Sequence, residues 1–232
     1  MPRMLSIPAA DGGSFQGYLA EPASRKGPGV LVIQEIFGIN TVMRGICDDL
    51  ARQGYFALCP DLFWRIEPGI MLDDRIEPDM QRAFQLFGQF DIDKGIADLK
   101  SALGVLRKQD GASGKAGAVG YCLGGRLAYL MAARSDVDAS VGYYGVYLQT
   151  HLNEAANIKK PLLLHCSTED KFVPKEAQAE IAAGLKGHPM VTREDYAGQD
   201  HAFARIGGEH YDKASADLAN GRTRDFFKKH LG

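Results

Sequence analysis

Apolar positions along this chain change their period several times, and the changes mark its elements. Two short alternating runs, 4–7 and 15–20, flank Asp11-Gly12-Gly13 and predict a β-hairpin. Residues 30–34 form a short apolar, β-branched run after a Pro/Gly loop, suited to a buried strand. Residues 42–52 carry Ile46 and Leu50 at helical spacing and stop at Gly54. The alternation then repeats. Strands are expected at 56–59 (stopped by Pro60), 116–120, 139–143, 161–166 and 190–196. Helices are expected at 79–87, 92–106, 123–133, 174–185 with a proline at its start, and 209–229. The stretch 64–78, with two prolines, reads as a loop. Short buried strands alternating with helices predict an α/β fold: a mostly parallel sheet, an N-terminal antiparallel hairpin, and helices on both faces. Ligands of such sheets gather at the carboxyl ends of the strands. The residues just after Ile33, Cys59, Gly120, Cys166 and Tyr196 are therefore where chemistry is expected.

Composition narrows the function classes. A chain of 232 residues and 25.3 kDa fits a single domain spanning 1–232. Lys plus Arg is 27 and Asp plus Glu is 29, so the net charge is 27 − 29 = −2. There is no basic excess for nucleic acid, no basic cluster for a membrane surface, and no apolar run of transmembrane length. The first seven residues lack the apolar core of a secretory signal. Four cysteines in this length are not a disulfide framework. A cytoplasmic protein with reduced thiols is expected, acting on a small molecule, as a monomer or simple homo-oligomer.

Gly120-Tyr121-Cys122-Leu123-Gly124-Gly125 lies between an expected strand and an expected helix. This is a G-x-nucleophile-x-G turn with Cys in place of Ser. A side chain at 120 or 124 would collide across so sharp a turn, and the helix start beneath it favours negative charge. A nucleophile needs a base, and the base an orienting acid. In hydrolases with this elbow the chain order is nucleophile, acid, histidine. Asp170 follows one strand and His201 another, so the order Cys122, Asp170, His201 fits; Glu169 and Asp200 are competing acids. One oxyanion donor is expected from the backbone N–H of Leu123, the second from the turn Glu35-Ile36-Phe37-Gly38, with Ile36 supplying it. Glu35 reads equally well as a site carboxylate or as an ordinary loop acid in water. Cys47, Cys59 and Cys166 read as inert small hydrophobes. Tyr143, at a strand end, is a candidate substrate contact.

The stretches Gln34-Glu35-Ile36-Phe37-Gly38, Cys59-Pro60-Asp61-Leu62, Val119-Gly120-Tyr121-Cys122-Leu123-Gly124-Gly125, Val141-Gly142-Tyr143-Tyr144-Gly145, Asp170-Lys171-Phe172-Val173-Pro174 and His201-Ala202-Phe203-Ala204-Arg205 resemble the dienelactone hydrolase (carboxymethylenebutenolidase) family. The resemblance implies an α/β-hydrolase fold, no cofactor and no metal, and opening of lactones such as 4-carboxymethylenebut-2-en-4-olide to maleylacetate during aromatic degradation. It implies a catalytic triad of Cys122, Asp170 and His201. It also implies that Glu35 holds the resting thiol neutral and takes its proton when substrate binds. Family enzymes grip the substrate carboxylate with two arginines and a tyrosine. One arginine matches Arg205. The other two positions hold Met80 and Phe84, four apart on one helix face, while Arg82 is turned about 200° away from Met80; Arg75 lies in the preceding loop. With Phe37, Phe87 and Trp64, Met80 and Phe84 would make a more apolar pocket. A broader esterase or thioesterase is therefore the alternative activity, and a non-catalytic redox-sensing thiol protein is the alternative from another class.

Overall fold

The expected alternation is present in the computed structural model, which describes residues 2–232. Contacts divide the chain into two units, one ending at Ala118 and one running from Val119 to Gly232.

The first unit contains β1 (Arg3–Pro8), β2 (Ser14–Ala20), β3 (Gly27–Ile33), α1 (Thr41–Arg52), β4 (Phe56–Pro60), α2 (Glu77–Gln89), α3 (Ile92–Arg107) and most of β5 (Ala112–Tyr121). Its strand order is β1-β2-β4-β3. The hairpin β1–β2 is antiparallel, β2 also runs antiparallel to β4, and β3 and β4 are parallel. Helix α1 starts where Asn40 accepts from the Met43 amide at 3.1 Å, satisfying one of the orphan donors of the first turn. Helix α2 begins two residues before its expected start. Pro78 lies inside its first turn, where the missing N–H costs nothing. The residues between β4 and α2 are held as a structured loop. The Asp61 carboxylate accepts from the Phe63 and Gly69 amides at 3.1 and 2.7 Å.

The second unit continues from the end of β5 through α4 (Leu123–Arg134), β6 (Ala139–Tyr143), β7 (Leu162–Ser167), α5 (Lys175–Leu185), β8 (Val191–Tyr196) and α6 (Lys213–Leu231). Its strands lie in the order β5-β6-β7-β8, and β6–β7 and β7–β8 are parallel. Helices cover both faces, and two neighbours in β6 show how. A Cβ at Gly142 would press on the Gly125 carbonyl of α4. The side chain of Tyr143 points the other way, to Asn220 and Thr223 of α6. The period of two along a strand dictates that split. A 3-10 stretch, Leu148–Asn157, was not expected; it is too short and irregular to carry a period. Helix α6 starts at Lys213, later than the pattern implied, because Asp212 caps it by accepting from the Ser215 amide at 2.8 Å.

The α6 face carries a buried polar chain. Tyr143 Oη lies 2.6 Å from Thr223 Oγ1, which lies 3.0 Å from His165 Nε2. His165 Nδ1 meets Tyr196 Oη at 2.8 Å, and Arg222 donates to the same hydroxyl at 3.2 Å. Burial pushes His165 down to about 3, so it is neutral and serves as a connector between sheet and helix.

Candidate active site

Three strand ends of the second unit converge. At the end of β5 the chain turns at Cys122, whose φ of 55° and ψ of −114° lie outside the regions open to most side chains. A Cβ at Gly120 would overlap the Gly124 carbonyl, and one at Gly125 the Tyr143 carbonyl. The glycines are what let the turn close. The Cys122 amide donates to the Tyr143 carbonyl at 3.1 Å, and its own carbonyl accepts from Gly125 at 3.0 Å and Arg126 at 3.3 Å. The thiol is thereby held at the start of α4 in a strained position that is kept where the surroundings over-determine it.

The loops after β7 and β8 leave the sheet level with each other, because Ser167 pairs with Tyr196 in the register. They are then laced together: the Glu169 amide donates to the Gln199 carbonyl at 2.8 Å, and the Gly198 amide to Thr168 Oγ1 at 2.9 Å. This brings Asp170 to His201, whose Nδ1 lies 2.9 and 3.1 Å from the two carboxylate oxygens. Asp170 also accepts from the Phe172 amide at 2.9 Å. The Cys122 side chain lies near enough to act on the charge of His201. Its pKa is raised to about 10: burial works against the proton, but the charge on Cys122 and the hydrogen bond with Asp170 outweigh it.

The competing acids do other work. Glu169 faces solvent and pairs with Lys175 at 2.7 Å. Asp200 accepts from the amides of His201 and Lys171 at 2.7 and 3.1 Å, clamping the two loops. Burial would raise its pKa, but those amides and Lys171 hold it down at about 2.

The ring of His201 sits between Tyr144 and Phe172, both edge-on, with centroids at 5.1 and 4.9 Å. Sequence reasoning did not single out either. The signal is positional: Tyr144 directly follows the end of β6, and Phe172 is two residues past Asp170. Tyr144 has a φ of 38° and donates its amide to the His165 carbonyl at 2.8 Å.

Tyr143 is a correction. The expectation placed it against substrate, but its ring is wholly buried and its hydroxyl is committed to Asn220 and Thr223. One position along a strand separates it from the face that Tyr144 occupies. Arg205 is buried, 5% exposed, in the turn after His201. Leu123 is fully buried at the first position of α4.

In the first unit, Glu35 follows β3 and is 2% exposed, which removes the reading of a loop carboxylate in water. The turn is braced: the Leu72 amide donates to the Phe37 carbonyl at 2.9 Å, and Gln34 accepts from the Leu62 amide at 3.1 Å. Ile36 and Phe37 are buried. On α2, Met80 is partly exposed and Phe84 is 45% exposed. Arg82 pairs with Glu67, and Arg75 is held by Asp73 at 2.6 Å. Trp64 stacks on Phe15 with centroids at 5.3 Å and donates to Asp98 at 2.8 Å, so it belongs to the packing of this unit.

The four thiols differ in setting. Cys47 and Cys59 are fully buried; Cys122 and Cys166 are partly exposed at the residue level. Burial pushes Cys47 well above the ordinary thiol range and Cys166 up to about 12. Among the described residues, no group of three His, Cys, Asp or Glu side chains is placed to hold a metal ion.

Known proteins share this chain's length and fold. The family model described as the dienelactone hydrolase family matches residues 15–231. A carboxymethylenebutenolidase from Pseudomonas putida is 40% identical over 222 residues, 96% of this chain and 94% of that one. A relative from Azospirillum brasilense is 50% identical over 230 residues, 98% of this chain and 99% of its own. A solved structure from Klebsiella pneumoniae has a TM-score of 0.87 at 26% identity and covers 99% of each chain. With the family model matched over nearly the whole length and relatives 40% and 50% identical across it, this α/β hydrolase belongs to the dienelactone hydrolase family.

Proposed function

We propose that the protein is a cysteine-nucleophile hydrolase that opens small lactones and esters, carboxymethylenebutenolide or a related lactone among them. One observation carries the reading: a thiol at the apex of a strained strand–helix turn, whose charge acts on a buried imidazole that is itself held by a carboxylate. The Cys122 sulfur adds to the acyl carbon, and the carbonyl oxygen becomes an oxyanion met by the backbone N–H groups of Leu123 and Ile36. The C–O bond to the leaving alkoxide breaks, and His201 donates a proton to that oxygen. In a lactone the leaving group stays attached to the acyl chain. Water then attacks the thioester with His201 as base, the C–S bond breaks, and a carboxylic acid is released. Glu35 takes the thiol proton as substrate binds, a role resting on the family resemblance and consistent with its burial. Arg205 grips an anionic substrate group.

The apolar pair Met80 and Phe84 favours a second reading, a broader carboxylesterase or thioesterase with a preference for neutral substrates. A hydrolysis panel separates the two: dienelactone isomers against neutral lactones and p-nitrophenyl esters, with Cys122→Ala as control. We expect a burst of p-nitrophenol equal to the enzyme concentration in the wild type and none in Cys122→Ala. A wild-type rate in the variant would overturn the nucleophile assignment.

A further inference from the structure

The second unit holds a guanidinium that the triad does not use and that no acid neutralises. Arg126 follows Cys122 by four residues, one helical turn along α4, and its amide donates to the Cys122 carbonyl. Its Nε and one Nη converge on His151 Nε2 at 3.1 and 3.0 Å, and its guanidinium lies over the Tyr147 ring, 5.8 Å from the centroid. Because Nε2 accepts, His151 carries its proton on Nδ1, which faces Glu154 at 3.4 Å. That carboxylate is already bound by Arg134 through two contacts of 2.6 Å. Burial and the neighbouring Arg126 push the His151 pKa down, so the ring is neutral at pH 7. The Arg126 guanidinium itself meets a neutral imidazole and an aromatic ring, and among the described residues it makes no ion pair. Burial and Arg134 both work against its charge, and Tyr147 is the only group that favours it. A partly buried cation without a counter-charge is costly unless an anion joins it. The guanidinium has five N–H donors in a planar fork, and Nε and one Nη are the atoms turned to His151.

We propose that Arg126, seated on Tyr147 and oriented by His151, is a carboxylate-binding site beside the nucleophile turn. One planar fork with one charge matches a planar monoanion, which argues for a carboxylate over a phosphate. The site would receive the acid group of a substrate or of the released product. That clause rests on the hydrolase reading; binding itself does not.

The test has two arms. In the Cys122→Ala protein, the Arg126 Nε–H resonance is followed while glutarate, or neutral glutaramide, is added. A saturable shift with glutarate alone, lost in Cys122→Ala/Arg126→Gln, supports the site. No shift, or an equal shift when another arginine is watched in the Arg126→Gln protein, overturns it. In the wild type, Arg126→Gln and Arg126→Lys, kcat/KM is compared for a carboxylated aryl ester and its methyl ester. Losing a hydrogen-bonded charge pair should cost about tenfold or more on the acidic ester and leave the neutral one unchanged. Arg126→Lys keeps the charge without the fork and guards against a folding defect; it should fall between. Equal losses on both esters overturn the substrate role. If the wild type hydrolyses neither ester, the hydrolase reading fails, while the glutarate arm still decides the site.

Discussion

At the residue scale, the decisive position is His201. With Cys122 ionised, its proton is held to about pH 10 in the folded chain, against 6.5 for an ordinary histidine. The folded state thus binds more protons than the unfolded state between those values. Stability from this group is fully present below pH 6.5 and is lost as pH rises through about 10. Much of the shift comes from Cys122, so Cys122→Ala should move the His201 titration down from about 10 and flatten the fall of stability across that window. An NMR titration of the imidazole, with urea midpoints at pH 6 and 9, reads both effects. An unmoved titration would mean that the two side chains do not share the proton. Cys122, Asp170 and His201 were legible in the sequence because a strained elbow needs glycine at fixed offsets and the acid and base must follow strands. Tyr143 was misjudged because one step along a strand changes the face it serves.

At the scale of elements, α6 is tied to β6, β7 and β8 by the chain of Tyr143, Thr223, His165 and Tyr196. Thr223 is the joint, since its hydroxyl meets both Tyr143 and His165. Thr223→Val keeps the shape but leaves His165 Nε2 without that hydroxyl, which should cost about 1–3 kcal/mol. A lower urea midpoint with an unchanged kcat would place the network in the scaffold; a lost kcat at full stability would contradict that. At the elbow the demand is steric. Gly120→Ala drives a Cβ into the Gly124 backbone, which cannot yield without moving α4. We expect a loss of about 3 kcal/mol or more, since overpacking against backbone has no soft direction. Urea denaturation measures it, and a neutral result would show that the turn has slack. Strand and helix positions were readable from period alone, whereas their ends were not. The start of β5 is polar and partly exposed, and the Asp212 cap that delays α6 looks in sequence like any other loop aspartate.

At the scale of the whole molecule, the question is which substrates the chain accepts. Arg205 is buried, which sets aside a surface arginine, and Met80 stands where the family resemblance puts a second arginine. Arg205→Ala should harm a carboxylated lactone more than its methyl ester, by about tenfold or more for a charged hydrogen bond. Met80→Arg should help the carboxylated lactone selectively. Equal changes in kcat/KM on both substrates would show that neither position reads charge. Family membership was legible because several specific stretches recur over nearly the full length. The Arg126 cluster was not, because His151 and Glu154 lie in the 3-10 segment that no pattern announced, and Tyr147 directly precedes it.

The settings of the four thiols offer a way to count one of them, Cys122, in a preparation. Cys47 and Cys59 are sealed, and Cys166 keeps its proton to about 12. An alkylating reagent applied to the folded chain at neutral pH therefore meets one receptive sulfur, at Cys122. Incorporation of a single equivalent of label would report the fraction of intact molecules in a preparation without any substrate being known. The remaining three cysteines become available only on unfolding, so the same reagent, used in rising denaturant, would read out the loss of structure from the same sample.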